Sequence, residues 1–107
     1  MSHSVTGKLN QPARQFEAGT AMGFGVSVGV KYRDPNQKAD FYQNYEAVFF
    51  ATKPAQLEFY QTALVAGAII EISGSKQRTK IYQGADGQPV SYIEILDAKL
   101  GFVAKPT

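Results

Sequence analysis

The chain contains no cysteine and no tryptophan, and its only histidine is His3. Without cysteine there is no disulfide and no thiolate chemistry, so nothing in the sequence indicates secretion. A lone histidine near the terminus disfavours a histidine-based catalytic set or metal cluster. Asp34, Asp40 and Asp86 fall in predicted loops or turns, where carboxylates usually initiate turns. We therefore expect a protein that is not an enzyme and has no metal or other cofactor.

Long apolar segments are also missing, and no run approaches the roughly 20 residues that a membrane-spanning helix needs. The beginning, Met1-Ser2-His3-Ser4, lacks the charged-then-apolar pattern of a secretory leader. We expect a cytoplasmic protein with neither a membrane nor a small-molecule substrate as partner. The length of 107 residues, without repeats or a flexible linker, predicts one domain over residues 1–107.

An alternation of period two dominates the segment from Met22 to Tyr32. Large apolar side chains occupy one parity, and the other carries Gly23, Gly25, Ser27, Gly29 and Lys31. This pattern is typical of a half-buried strand. The three glycines leave the second face nearly bare, so a backbone or a ligand has room to approach it.

Four further strands and one helix complete the predicted order. The strands cover residues 5–16, interrupted by Pro12, then 42–51, 68–82 and 89–102. The helix follows Thr52-Lys53-Pro54 and ends at Gly67. This order predicts an all-β fold with one helix: a five-stranded oligonucleotide/oligosaccharide-binding (OB) barrel with the helix between strands 3 and 4. Other small mixed folds share the order.

Short segments spread over residues 7–103 support this fold. They are Gly7-Lys8-Leu9 with Pro12 and Arg14, Lys31-Tyr32-Arg33-Asp34, Asn44-Tyr45-Glu46-Ala47-Val48-Phe49-Phe50, Ile70-Glu71-Ile72-Ser73-Gly74, and Gln77-Arg78-Thr79-Lys80-Ile81-Tyr82. In this order and spacing they resemble the bacterial single-stranded DNA-binding proteins (SSB). The resemblance implies an OB fold, a homo-oligomer (dimer or tetramer), and sequence-independent binding of single-stranded DNA in replication, repair, recombination or transfer.

The resemblance also implies which aromatic side chains meet the bases. The family's stacking positions, often tryptophan, match Tyr32, Tyr45 and Tyr82. It favours Tyr45 and Phe49 facing DNA, with Val48 and Phe50 inward, although the alternation itself leaves aromatics on both faces of that strand. Tyr92 and Phe102 are expected in the core, while Phe41 and Tyr42 have no assignment.

Basic residues alternate in two places, although the net charge of +2 is too small to indicate a nucleic acid by itself. Lys76, Arg78, Lys80 and Tyr82 share one parity, which gives a single stripe if no bulge intervenes. Lys31 and Arg33 form the second alternating set. We expect all five cations to contact phosphate; a plain solvated face would show the same pattern.

Other functions for the same fold stay open at this stage. A primosomal-type OB protein or a protein-interaction scaffold would use the same barrel, and aromatic faces also stack on sugars. Members of the SSB family usually end in an acidic tail that recruits partners, whereas this sequence ends at Lys105-Pro106-Thr107. We expect partner recruitment by that route to be missing, either because the protein has no such tail, as would fit a phage, plasmid or integrative-element version, or because the tail was removed.

Overall fold

The structure, a computed structural model, describes residues 3–106. The expectations on Met1-Ser2 and on Thr107 therefore lie outside the described residues. Within residues 3–106 the chain forms eight strands and one helix. Their bounds are β1 His3–Leu9, β2 Arg14–Ala18, β3 Ala21–Asp34, β4 Ala39–Ala51, α1 Pro54–Ala63, β5 Ile69–Gly74, β6 Lys76–Gln83, β7 Pro89–Leu96 and β8 Lys99–Ala104.

The prediction of a mostly-sheet fold with one helix is confirmed for the described residues, and the helix follows the third of the long predicted strands. The prediction of a closed five-stranded barrel is wrong. Eight strands lie in an open sheet of order β6-β7-β4-β3-β1-β5-β8, with β2 paired to β3. The count differs because three predicted strands are each divided in two, at residues 10–13, at Ser75 and at residues 97–98.

Local backbone requirements explain these divisions. Pro12 has no N–H to donate to a ladder, and it lies in the gap between β1 and β2. At the bend between β5 and β6, a side chain on Gly74 would collide with the carbonyl oxygen of Leu96. Between β7 and β8, Asp97 has a φ of 53°, in the left-handed region that interrupts a strand. Each division therefore bends the chain around the core.

The core lies on one face of the sheet and is apolar throughout. Its largest fully buried side chains are Phe24, Phe49, Leu9, Ile70, Ile72 and Val28. These residues come from β1, β3, β4 and β5, so the core joins strands that are distant in sequence. At about 25 cal/mol per Å² of apolar surface, this burial is the main stabilising term of the fold.

Helix α1 covers one end of the core. Pro54 occupies its first turn, where the missing N–H needs no partner, and Lys53 is the N-cap residue. The ring of Tyr60 packs edge-on against Phe24, with centroids 5.3 Å apart. Leu57 packs against the same cluster. Helix α1 has ten residues, and among residues 3–106 we find no helix with the length and apolar character needed to cross a membrane.

Candidate nucleic-acid interface

An open groove with a volume of about 690 Å³ runs along the face of the sheet opposite the core. Strands β2, β3, β4, β6 and β7 all contribute to its lining. The side chains that give it chemical character are Arg14, Glu46, Lys80, Tyr82, Tyr92 and Glu94. We refer to this surface as the groove.

The bare face of β3 forms part of the groove floor, as its glycines predict. Gly25 and Ser27 line the groove. Side chains of β2 rather than a backbone cover two of the three glycines: the Phe16 ring lies against Gly23, and the Arg14 guanidinium lies against Gly25. The Arg14 guanidinium carbon is 5.8 Å from the centroid of the Phe16 ring. The glycines therefore allow a cation and an aromatic ring to lie flat on the sheet.

The two faces of β4 are exchanged relative to the expectation, so the outward placement of Tyr45 and Phe49 is wrong. Phe49 is 1% exposed and pairs with Phe24 in the core, while Tyr45 is half-buried and packs against the same cluster. On the other face, Val48 lines the groove and Phe50 is 51% exposed. Aromatic residues on both faces made hydrophobicity uninformative, and the register with β3 decides the outcome.

The basic stripe of β6 has the geometry that its alternation predicts. The register between β6 and β7 runs without a bulge from Lys76 opposite Leu96 to Gln83 opposite Pro89. Lys76, Arg78, Lys80 and Tyr82 therefore lie on one face. Lys80 and Tyr82 line the groove, and the other two residues continue the stripe along β6 toward Ser75.

Two carboxylates lie among these cations. One oxygen of Glu94 accepts a hydrogen bond from Arg78 Nε at 2.6 Å, and the other accepts one from Lys80 Nζ at 3.3 Å. Glu46, beside Glu94 in the register of β4 and β7, accepts a hydrogen bond from the Tyr82 hydroxyl at 3.1 Å. Aromatic rings, cations and acids thus share one surface, and two cations of the stripe, Arg78 and Lys80, already have an acidic partner.

The ionisation of Glu94 reflects these contacts. Partial burial alone would raise the pKa of the Glu94 carboxyl, but the hydrogen bonds from Arg78 and Lys80 outweigh it and hold that pKa below its ordinary value. Interaction with Tyr82, followed by that with Glu94, raises the pKa of Lys80 above its ordinary value. At neutral pH both side chains are therefore charged.

Tyr92 is a groove residue that the sequence analysis placed in the core. It is half-buried, lines the groove and packs edge-on against Tyr82, with ring centroids 5.2 Å apart and planes at 86°. The Lys80 Nζ lies 5.6 Å from the centroid of the Tyr82 ring. A signal was present in the sequence: a turn centred on Asp86 places Tyr92 directly opposite Lys80.

The C-terminal end of β3 and the N-terminal end of β4 form an arm, which carries the remaining predicted site residues. Tyr32 is 50% exposed and stacks on Phe41, its cross-strand partner, with centroids 5.8 Å apart. Lys31 and Arg33 lie on the other face of the arm, and both pair with Asp40, at 3.3 and 3.6 Å. The arm therefore brings Lys31 and Arg33 together, but it separates them from Tyr32.

Tyr42 is the arm residue that joins this region to the groove. It is 65% exposed and lies opposite Lys31 in the register of β3 and β4. Its ring lies over Gly29, on the same face as the groove-lining Asn44. Its position between the arm and the groove adds it to the candidate interface, although no assignment followed from its sequence context.

Comparison with known proteins bears on the fold. No protein-family profile matches the sequence, and no curated protein matches it. Among solved structures, the Plasmodium falciparum SSB in complex with single-stranded DNA matches with a TM-score of 0.57 and 14% identity, over 97% of this chain and 94% of that one. A small single-stranded DNA-binding protein from Streptomyces coelicolor matches with a TM-score of 0.56 and 15% identity, over 94% and 92%. The sheet and its helix are thus the fold of these single-stranded DNA-binding proteins.

Proposed function

We propose that this protein binds single-stranded DNA without sequence preference, and that the groove is the binding surface. One observation carries the proposal. Tyrosine rings and cations lie side by side in an open groove. The fold that holds this groove also occurs in a neighbour solved in complex with single-stranded DNA. Such a surface meets both needs of the ligand, since rings stack on unpaired bases and cations follow the phosphates.

Each part of the groove has a distinct role in this proposal. Tyr82, 41% exposed, and Tyr92 offer ring surface on which any base can stack. Arg14 and the stripe of β6 contact phosphates, and Tyr42 with Lys31 and Arg33 extends the path along the arm. Because every base has a π face and every nucleotide a phosphate, the arrangement selects single strands rather than a sequence.

The proposal extends to the context in which such binding is used. A protein that covers single strands without chemical change acts in DNA replication, repair, recombination or transfer. We also propose that the protein forms a homo-oligomer, as the family resemblance implies. Measuring its mass in solution by light scattering tests this directly, and a monomer at micromolar concentration would contradict it.

The experiment that tests the proposed function compares single-stranded and duplex DNA. The rings reach bases only where those are unstacked, so a dT oligonucleotide should bind at least about tenfold more tightly than duplex DNA of equal length. Fluorescence anisotropy of end-labelled DNA measures both affinities at the same salt concentration. Equal affinity for the two forms would leave only nonspecific attraction of charge and would refute the stacking model.

The salt dependence of binding should depend on Arg14. Among residues 3–106, Arg14 takes part in no ion pair that the structure shows, and its guanidinium lies in the groove. If it contacts a phosphate, Arg14→Ala should make the log–log slope of affinity against salt shallower by about 0.7. Lys99→Ala, on β8 and outside the groove lining, is the matched control and should leave the slope unchanged.

A further inference from the structure

Two cations of the β6 stripe already share one acidic partner. A single carboxylate, that of Glu94, holds both Arg78 and Lys80, one on each oxygen. The Glu94 side chain is 15% exposed, whereas that of Arg78 is 60% exposed. The acid is therefore fixed in the floor of the groove, and the cations reach over it toward solvent.

A phosphate approaching these cations carries the same sign of charge as the carboxylate. It has to replace Glu94 at Arg78 and Lys80 or share them with it, and sharing places two negative groups a few ångströms apart. Glu46 beside Glu94 adds a second acid to the same region. Each of these terms makes phosphate binding weaker than the number of groove cations suggests.

We propose that the Glu94 carboxylate competes with phosphate for Arg78 and Lys80. This proposal rests on the proposed binding of single-stranded DNA. Glu94 holds Arg78 and Lys80 in the free protein and releases them when single-stranded DNA binds. It therefore sets the affinity of the groove for a polyanion. The stacking of bases on Tyr82 and Tyr92 then supplies the free energy that the cations alone do not. The groove consequently favours ligands that offer unpaired bases as well as phosphates.

The same geometry makes binding take up a proton. The charged and titratable groups that face Glu94 are Arg78, Lys80 and Tyr82 from β6 and Glu46 from β4. In the free protein the two cations keep the pKa of Glu94 low. A bound phosphate withdraws those cations and adds negative charge, which raises the pKa of Glu94. Affinity for a single strand therefore rises as the pH falls from 7 toward 5.

The test compares Glu94→Gln with Glu58→Gln. Glu58 is exposed on α1, outside the groove lining, so both variants lose one negative charge and only one of them changes the groove. With a labelled dT oligonucleotide at pH 7, E94Q should bind about three- to tenfold more tightly than wild type, as expected from releasing cations held in partly exposed ion pairs. Its salt slope should be steeper by about 0.7, because the substitution adds one net positive charge where the strand binds. E58Q should match wild type.

Two further measurements make the result specific to the ion pairs. Arg78→Ala should weaken binding by E94Q more than binding by wild type, because Glu94 holds Arg78 in the free wild-type protein and not in E94Q. Lowering the pH from 7 to 5 should raise the affinity of wild type more than that of E94Q. If E94Q proves too unstable, calorimetry of wild type in buffers of different ionisation enthalpy should show proton uptake on binding at pH 5.

The outcomes separate the two proposals. Wild type that binds single strands, with E94Q folded but no tighter, refutes the role of Glu94 and leaves the proposed function intact. Binding by wild type without proton uptake at pH 5 refutes it equally. If neither wild type nor E94Q binds single strands, the proposed function fails and the role of Glu94 fails with it.

Discussion

Phe49→Ala is expected to lower the free energy of unfolding by about 3–5 kcal/mol, the range for truncating a large aromatic side chain in a core. Phe49 is 1% exposed, pairs with Phe24 across the β3–β4 ladder and contacts Tyr60 of α1. Its removal leaves a cavity where the sheet meets the helix. Since small domains are stable by only about 5–15 kcal/mol, the variant should be close to unfolding at physiological temperature.

Phe50→Ala is the matched control, because it removes the same side chain from the next position of the same strand. Phe50 is 51% exposed, so its truncation should cost less than about 1 kcal/mol. Thermal unfolding followed by circular dichroism compares the two variants. A stable Phe49→Ala beside an unfolded Phe50→Ala would show that β4 presents its faces the other way round, with Phe49 in the groove.

Tyr82→Ala should weaken binding of a dT oligonucleotide by about 1–3 kcal/mol, or roughly five- to 150-fold, which is the contribution of one base stacked on an aromatic ring. Tyr82 lies in the groove with its ring against Tyr92 and its hydroxyl bonded to Glu46. The side chain is 41% exposed, so the melting temperature should fall only slightly. Labelled-DNA anisotropy and a melting curve are both needed, because an unfolded variant also loses affinity.

Tyr82→Phe separates the ring from the hydroxyl. It keeps the stacking surface and loses only the hydrogen bond to Glu46, so it should bind within about twofold of wild type. If Tyr82→Ala keeps full affinity, Tyr82 does not stack on a base. If Tyr82→Phe loses as much as Tyr82→Ala, the hydroxyl rather than the ring carries the contact.

The alternation of small and large residues in β3 was readable from the sequence because one parity is nearly all glycine and serine. The stripe of β6 was readable because its cations alternate without interruption. In β4 the same approach failed: Tyr45 and Phe49 occupy one parity and Phe50 the other. Only the pairing with Phe24 and Val28 of β3 assigns Phe49 and Tyr45 to the core.

The strand count depends on contacts between distant residues. The bend at Gly74 follows from the approach of Leu96, which no local pattern reveals. Glu94 is a different case, since a turn centred on Asp86, between the predicted strands 68–82 and 89–102, pairs it with Arg78. Counting cross-strand partners outward from Asp86 places the acid Glu94 directly opposite Arg78 in the stripe of cations.

Gly74 imposes a constraint that outlasts changes elsewhere in the chain. A methyl group at this position would meet the carbonyl oxygen of Leu96, and backbone cannot move aside as a flexible side chain can. The aromatic and basic side chains of the groove face an open volume, so we expect them to accept exchange for residues of like chemistry in distant descendants of this sequence. The bend at Gly74 allows no such exchange, because any side chain at this position would meet the Leu96 carbonyl oxygen. A glycine at the end of the fifth strand should therefore persist through a lineage after the residues of the groove have become unrecognisable, and it offers a landmark for aligning such sequences.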